Sequence, residues 1–342
     1  MIRAFSPADG SFLDIDVDSK VPANWDKVIW IDLVSPSAAE EAMVEAALTI
    51  GVPTPEEMGE IEDSARLYRD GDVLVMTAVV IDGAAEGKPS RAQVTLLLTA
   101  TPLVCVRYVD PLPFKLFEAK CALGNDANDT PADIFASLLE SFVERAADIL
   151  EVTASDLQAI SARLFFNDAN RRKSSRVEGE LSALIQRLGR RNMTAAILRE
   201  SLLSLGRMIS FARSTTPTAF TEQTSARLKQ IERDVRSLAE YEQHLTGEIA
   251  YLHESSLGLI NLDQNRIIKA FSIAAVLFLP PTVVGTIYGM NFTHMPELDW
   301  VWGYPFALAL MILSAVLPFL FFKWRGGFSD CSKGRVTACM PP

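Results

Sequence analysis

The chain has 342 residues, of which 49% are hydrophobic, and its formal net charge at pH 7 is −11. The charge is unevenly distributed: residues 1–70 carry 15 Asp and Glu against 5 Lys and Arg, whereas residues 270–290 and 300–322 carry no charge. An acidic surface disfavours nucleic acid, because both carry negative charge, and it favours cations. The composition therefore predicts no nucleic-acid partner.

Residues 1–125 are predicted to form an α/β domain. Residues 28–34 are an apolar strand that ends at Ser35-Pro36, and residues 37–50 have the pattern of a helix capped by Gly51. Val, Leu and Thr dominate three further segments, which Gly, Asp and Pro separate and which predict a small sheet: 73–81, 93–99 and 103–108.

The chain is predicted to become helical from Thr130 onward. One long helix begins at Thr130 and is broken at Asn167 to Asn170, and a second covers about 174–213, where Leu and Ile recur at helical spacing. Residues 126–220 are therefore expected to form long antiparallel helices.

A heptad pattern predicts a stalk helix over 221–269. One line of the heptad is apolar: Ile231, Leu238, Leu245, Leu252 and Leu259. The companion line becomes polar toward the membrane: Leu228, Val235, Glu242, Ile249, Ser256 and Asp263. A continuous helix over 221–290 is about 100 Å long at 1.5 Å per residue, and such a helix needs partners, so we expect self-association. The polar part of the companion line suits either a wet axial pathway or a face toward solvent.

Two uncharged segments, 270–290 and 300–322, are each long enough to cross a bilayer, which takes roughly 20 apolar residues in a helix. Basic residues lie just before the first segment and just after the second: Arg266, Lys269, Lys323 and Arg325. The positive-inside rule places these ends in the cytoplasm. No signal peptide is visible at the N-terminus. We expect both termini in the cytoplasm, transmembrane helices at 270–291 and 300–322, an external loop at 292–299 and a cytoplasmic tail at 323–342.

The first span carries polar features that a plain anchor does not need. Pro280 and Pro281 lie in its middle and leave carbonyls without helical partners, a situation that water in a pore relieves. Thr282 and Thr286 place hydroxyls on one face, and Asn265 adds an amide near the inner boundary. These features favour a pore-lining helix over a kinked anchor.

The segments around the second half of the first span resemble the CorA family of magnesium channels, in its proteobacterial branch. The resemblance rests on Tyr288-Gly289-Met290-Asn291-Phe292 with Met295-Pro296-Glu297-Leu298, on the segments 265–269, 278–282 and 302–305, and on Glu60 to Arg66 in the soluble part. It implies an α+β fold: an N-terminal cytoplasmic α/β domain, a long helical bundle and a stalk helix that continues into two C-terminal transmembrane helices. It further implies a homopentameric channel in the bacterial inner membrane.

The resemblance also implies roles for individual residues. Gly289, Met290 and Asn291 would form the selectivity filter, where Asn291 meets hydrated Mg²⁺, and Glu297 would attract cations at the external loop. Asn265 and Thr282 would be polar pore-lining rings, whereas Ile268, Phe271 and Leu279 would form a hydrophobic gate. The implied function is transport of hydrated Mg²⁺, and also Co²⁺ and Ni²⁺, into the cytoplasm, with no enzyme activity.

The family closes its channel when cytoplasmic Mg²⁺ binds between subunits. Candidate regulatory ligands, each of which also fits an ordinary surface ion pair, are Glu62, Asp63, Glu232, Asp234 and Glu242. Mg²⁺ is thus expected both as cargo and as regulator, and no organic cofactor is expected.

Two other functions fit parts of the pattern. A zinc transporter of the related ZntB type would have the same architecture, but that branch typically replaces the methionine of the signature, so Met290 favours magnesium. A membrane-anchored enzyme or signalling domain finds no support, since no HExxH, GxSxG or GxGxxG motif occurs. The extension 326–342, with Cys331 and Cys339, matches no family role and is expected to be a disordered tail.

Overall fold

The computed structural model describes residues 1–6, 11–15, 25–122, 130–165, 174–290 and 300–324. The chain divides into two units, Met1–Ser256 and Leu257–Pro342. The predicted helix break at Asn167 to Asn170, the external loop 292–299 and the tail 326–342 lie outside the described residues.

The first unit contains a seven-stranded mixed sheet. Its strands are β1 (Ile2–Ser6), β2 (Ser11–Ile15), β3 (Trp30–Val34), β4 (Leu67–Asp70), β5 (Val73–Asp82), β6 (Ser90–Leu98) and β7 (Leu103–Arg107), in the order β2-β1-β3-β7-β6-β5-β4. Neighbouring strands are antiparallel except β3 and β7, which are parallel and pair Trp30 with Leu103. The predicted mixed α/β sheet is confirmed.

Helices cover both faces of this sheet, which explains why its central strands are almost continuously apolar. On one face, Ile31 and Leu33 of β3 share a core with Val44 of α1 (Ala38–Leu48) and Met58 of α2 (Pro55–Met58). Trp30 points to the other face, where its ring lies 5.1 Å from that of Phe117 in α4 (Leu112–Ala122).

Sequence patterns located the apolar strands better than the more polar ones. The predicted segments 73–81, 93–99 and 103–108 correspond to β5, β6 and β7, whereas β1, β2 and β4 were not predicted, because polar or charged residues interrupt their short apolar sequences. The predicted helix at 37–50 is α1, but the predicted cap at Gly51 is wrong. The left-handed residue after α1 is Thr49, with φ 55°.

Three long helices follow: α5 (Pro131–Phe165), α6 (Ser174–Thr215) and α7 (Glu222–Tyr288). Polar contacts join them within the first unit. Thr224 of α7 donates its hydroxyl hydrogen to Asp133 of α5 at 2.7 Å, and Arg213 of α6 pairs with Glu232 of α7. A Cβ at Gly206 of α6 would lie 3.5 Å from Cγ1 of Val235, so α6 and α7 approach closely there.

The heptad of α7 faces the chain itself. Its apolar line is buried at Ile231, Leu245 and Leu252, and its companion line is equally buried at Glu242 and Ser256. We expected the polar part of the companion line to face an axial pathway or solvent. That expectation is wrong for Glu242 and Ser256, because other parts of the first unit cover both side chains.

The second unit contains the end of α7 and one further helix, α8 (Gly303–Trp324). The predicted span at 300–322 starts too early: the N–H of Gly303 donates to the carbonyl of Trp300 at 2.8 Å, and the helix begins at Gly303. Pro305 fits in the first turn, where no helical N–H bond is lost. α7 and α8 are long and apolar enough to cross a membrane. Their large apolar side chains are mostly exposed, unlike those of a buried core helix.

Candidate ion pathway

The membrane end of α7 has one side that packs against α8. Half-buried residues recur at helical spacing on both helices, as expected for two facing stripes. The stripe on α7 consists of Pro281, Val284, Gly285 and Tyr288, and the stripe on α8 consists of Met311, Ser314, Ala315 and Pro318. The stripes meet at Gly285, where an added Cβ would lie only 3.1 Å from Cε of Met311.

The residues predicted to line a pore lie on another side of the same helix. Five of them are exposed: Asn265, Ile268, Phe271, Leu279 and Thr282. At about 100° per residue they fall within a sector of roughly 120°, whose centre lies roughly 150° from the centre of the stripe that faces α8. Within one chain, α8 therefore leaves this side of α7 uncovered.

The two prolines free backbone acceptors without ending the helix. Pro280 and Pro281 have no N–H, so the carbonyls of Val276 and Leu277 lose their usual helical partners. α7 nevertheless continues to Tyr288. In hydrocarbon such carbonyls are costly, so they need water or a polar neighbour.

Two hydroxyl groups near the prolines present oxygen lone pairs. Thr282 donates its hydroxyl hydrogen to the carbonyl of Phe278 at 2.7 Å, and Thr286 donates to the carbonyl of Thr282 at 2.7 Å. Because each hydrogen is already used, each oxygen acts toward its surroundings as an acceptor. Water molecules bound to Mg²⁺ turn their hydrogens outward, so a hydrated ion matches such a surface.

The C-terminal end of α7 is held by its own backbone. The N–H of Gly289 donates to the carbonyl of Gly285 at 3.0 Å, and the N–H of Met290 donates to that of Ile287 at 3.3 Å. A helix C-terminus carries partial negative charge, which favours a cation beside it. Gly289 and Met290 are both exposed here. Asn291 and Glu297 lie outside the described residues.

Four of the five predicted regulatory acids lie near the surface or have no described side chain. Glu232 pairs with Arg213, and Asp234 accepts a hydrogen bond from Gln230 at 2.9 Å. Glu62 is exposed, and its carbonyl accepts the N–H of Arg66 at 3.2 Å at the start of α3 (Asp63–Arg66); the side chain of Asp63 is not described. Among the described residues, no three His, Cys, Asp or Glu side chains form a group that could hold a metal ion.

The fifth acid, Glu242, is buried inside the first unit. It is 1% exposed, and one carboxylate oxygen accepts a hydrogen bond from the hydroxyl of Thr246 at 2.7 Å. The other oxygen has no hydrogen-bond partner among the described residues. Glu242 is therefore the least accessible of the five candidates to an ion held between two subunits.

The contact between Gly285 and Met311 was not predicted. A signal for it was present, because Gly285 and Gly289 have the small-xxx-small spacing typical of close helix approach in membranes. The partner, Met311, has no such signal, since nothing in an apolar helix tells which residue faces a neighbour.

Residues 25–324 match the family described as CorA-like Mg²⁺ transporter protein. This chain belongs to that family. The family is one of transporters, not of enzymes, and its members are membrane proteins, so the CorA resemblance is confirmed.

Curated relatives of this CorA-type chain match over almost their full length. The magnesium transport protein CorA of Haemophilus ducreyi is 31% identical over 326 residues, which cover 95% of this chain and 99% of that protein. The magnesium transport protein CorA of Wolinella succinogenes is 32% identical over 328 residues, covering 94% and 98%.

A solved structure supports the fold of the CorA-type chain. The CorA magnesium transporter from Methanocaldococcus jannaschii aligns with a TM-score of 0.71, covers 94% of this chain and 96% of that chain, and is 14% identical. The predicted combination of a mixed α/β sheet, a long helix and a C-terminal apolar helix is thus confirmed.

Proposed function

We propose that this protein is a channel that conducts hydrated Mg²⁺ into the cytoplasm down its electrochemical gradient. The observation that carries the proposal is the side of α7 that α8 leaves uncovered, where the exposed hydroxyl of Thr282 has already donated its hydrogen to the carbonyl of Phe278. Family membership supplies the ion, and this geometry supplies a surface that accepts hydrogen bonds from its water shell.

Mg²⁺ gives up its waters reluctantly, so a channel that binds it through them avoids the cost of dehydration. In the proposed pathway, Asn291 forms the outer ring, shaped by Gly289 and Met290, and Glu297 raises the local cation concentration. Thr282 and Asn265 form neutral rings further in. Neutral acceptors hold the water shell more weakly than carboxylates would, which allows the ion to leave again.

The gate is proposed to lie between the polar rings. Ile268, Phe271 and Leu279 are 62%, 73% and 67% exposed within one chain. If symmetric copies bring these side chains together around an axis, they form a narrow apolar constriction that stops ions by excluding water. Opening then requires only that the constriction widens enough to become wet.

Inward flow of a divalent cation needs no ATP. A membrane potential of 100 mV supplies roughly 2.3 kcal/mol per charge, or about 4.6 kcal/mol for Mg²⁺. We propose that cytoplasmic Mg²⁺ closes the channel by binding between subunits, with Glu62, Asp63, Glu232 and Asp234 as candidate ligands. The burial of Glu242 argues against a direct role for that residue.

The proposed setting is the bacterial inner membrane, with both termini in the cytoplasm and five chains around the pore. Arg266 and Lys269 precede the first span, which supports a cytoplasmic position of its inner end. Co²⁺ and Ni²⁺ are proposed as further substrates, because both are divalent ions that bind six waters.

An uptake assay tests this function. Protein in liposomes with an inside-negative potential should take up Mg²⁺, and Asn291→Ala should abolish uptake, because the outer ring that holds the water shell is lost. Uptake is followed with an internal Mg²⁺-sensitive dye, and Zn²⁺ is run in parallel.

Asn192→Ala is the control, since Asn192 is an exposed amide on α6 in the soluble part. It should transport like the wild type. Undiminished Mg²⁺ uptake by Asn291→Ala would exclude Asn291 from the filter. If the wild type takes up Zn²⁺ in preference to Mg²⁺, the cargo is zinc and not magnesium.

A further inference from the structure

The two membrane helices approach each other at a glycine that does not belong to the proposed pore lining. Gly285 lies on the stripe of α7 that faces α8, and an added Cβ would meet Cε of Met311 at 3.1 Å. That distance is tighter than most contacts of a Cβ, so a methyl group at this position requires Cε of Met311 to give way by a few tenths of an ångström. Gly285 thus allows α8 to lie close to the side of α7 that faces it.

The same glycine holds the outer end of α7 through its carbonyl. The N–H of Gly289 donates to the carbonyl oxygen of Gly285 at 3.0 Å. A Cβ at Gly289 would lie 3.0 Å from that oxygen, so little space surrounds this hydrogen bond. This hydrogen bond links Gly285 directly to Gly289, the first residue of the proposed filter.

We propose that Gly285 is a positioning residue of the ion entrance and that Met311 of α8 is its partner. The side chain of Met311 packs against the bare Cα of Gly285 and fixes its carbonyl, which in turn fixes Gly289. In this way α8, which does not line the proposed pore, sets the geometry of the filter. This inference rests on the proposed transport function.

A size-exchange series tests the link. Gly285→Val places a branched side chain against Met311 and pushes α7 and α8 apart, so the entrance should capture Mg²⁺ less well. We expect KM for Mg²⁺ uptake to rise roughly tenfold if the strain of overpacking is borne at the entrance. A variant that merely folds less well would instead lower the maximal rate and leave KM unchanged.

Rescue distinguishes this contact from general damage. Met311→Ala removes about as many heavy atoms as Gly285→Val adds, so the double variant should return KM to near the wild-type value. Ile312→Ala is the matched control, because Ile312 is 65% exposed on the same helix and lies beside the contact. It should not rescue Gly285→Val. Gly258→Val tests valine at a glycine of α7 where an added Cβ has no neighbour within 4 Å in the chain, and KM should not change.

The inference is overturned if Gly285→Val keeps the wild-type KM, or if Ile312→Ala rescues it as well as Met311→Ala does. If Gly285→Val does not assemble, Gly285→Ala serves as the milder variant. The inference is also overturned if a well-assembled Gly285→Ala keeps the wild-type KM and adding Met311→Ala does not change that KM. Absence of Mg²⁺ uptake by the wild type would instead contradict the proposed function itself.

Discussion

At the scale of single residues, the hydroxyl of Thr282 presents a hydrogen-bond acceptor to the proposed ion pathway. Its hydrogen is used by the carbonyl of Phe278 at 2.7 Å, so its oxygen faces outward with lone pairs only. A free hydroxyl would turn either way; this one is oriented by the backbone.

Thr282→Val tests that acceptor, because valine keeps the shape of threonine and loses the oxygen. Loss of a hydrogen bond to the charged water shell costs about 1.5 to 3 kcal/mol, so the Mg²⁺ uptake rate should fall by roughly tenfold or more. Thr282→Ser keeps the oxygen and should stay within about twofold of the wild type. Equal rates for the valine and serine variants would remove Thr282 from the pathway.

A second residue-scale feature is the buried ion pair in the centre of the sheet. Arg107 of β7 donates from Nη2 to Asp32 of β3 at 2.8 Å, and both side chains are almost fully buried. The guanidinium also donates to the carbonyl of Val109 at 3.0 Å and lies 4.4 Å from the ring centre of Phe114. These hydrogen bonds and the attraction between the two charges offset the cost of removing both charged groups from water.

Arg107→Met should destabilise the protein strongly, by about 3 to 5 kcal/mol, because it leaves the carboxylate of Asp32 buried without its partner. Thermal unfolding of the detergent-solubilised protein measures the effect. Arg69→Met is the matched control: Arg69 pairs with Asp72 at 3.1 Å on the surface, where a pair contributes about 0 to 1 kcal/mol. Similar losses for the two variants would mean that burial does not matter here.

At the scale of elements, α5 and α6 are joined by one carboxylate and two arginines. Asp156 of α5 accepts hydrogen bonds from Nε of Arg187 at 3.0 Å and from Nε of Arg191 at 2.7 Å. Burial by itself raises the pKa of Asp156, but the hydrogen bonds and positive charges of the two arginines outweigh it and lower the pKa below its ordinary value. The ionised form therefore stabilises the contact between the helices.

The sign of this pKa change fixes a pH dependence. A carboxyl whose pKa is lower in the folded state adds stability above its unfolded pKa of about 3.9 and loses it as the pH falls through the folded pKa. Asp156→Asn should therefore cost about 1 to 3 kcal/mol at pH 7 and much less near pH 3. Thermal unfolding at both values measures this, and Asp148→Asn, at an exposed site of α5, is the control. A cost that is the same at both pH values would contradict the assignment.

At the scale of the whole molecule, one chain leaves part of its membrane helix poorly suited to lipid. The carbonyls of Val276 and Leu277 lack helical partners, because Pro280 and Pro281 have no N–H. In a monomer they would meet hydrocarbon, at a cost of several kcal/mol for each unsatisfied group. Association around the proposed wet axis would cover the uncovered side of α7 and give water access to the backbone that the prolines free there.

The CorA resemblance implies five chains, so we expect the purified protein to contain five chains when it is measured by native mass spectrometry in a mild detergent. Removal of the detergent belt in the gas phase should release the assembly before it releases single chains. A stable monomer or dimer under those conditions would contradict assembly around a shared pore. A six-chain assembly would keep the pore and refute the number.

Several features of this protein could be predicted from the sequence because they depend on local order. Two uncharged segments predict two membrane helices, and a seven-residue period predicts the long helix α7. Pro280 and Pro281 predict backbone carbonyls that lack a helical hydrogen-bond donor. The motif around Gly289 identifies the family. The strands β1, β2 and β4 were missed, because polar or charged residues interrupt their short apolar sequences, whereas the equally short β3 and β7 are more continuously apolar.

Only the tertiary structure decided which face of each helix meets which neighbour. The heptad of α7 predicted a buried line, but not that the chain itself covers Glu242 and Ser256. The apolar residues of α8 all look equivalent in sequence. In the described part of the structure, however, Met311 is the residue that approaches Gly285, with its Cε 3.1 Å from a Cβ built there. The reason is physical: periodicity fixes which residues share a side of one helix, whereas the direction of that side depends on packing between segments far apart in the chain.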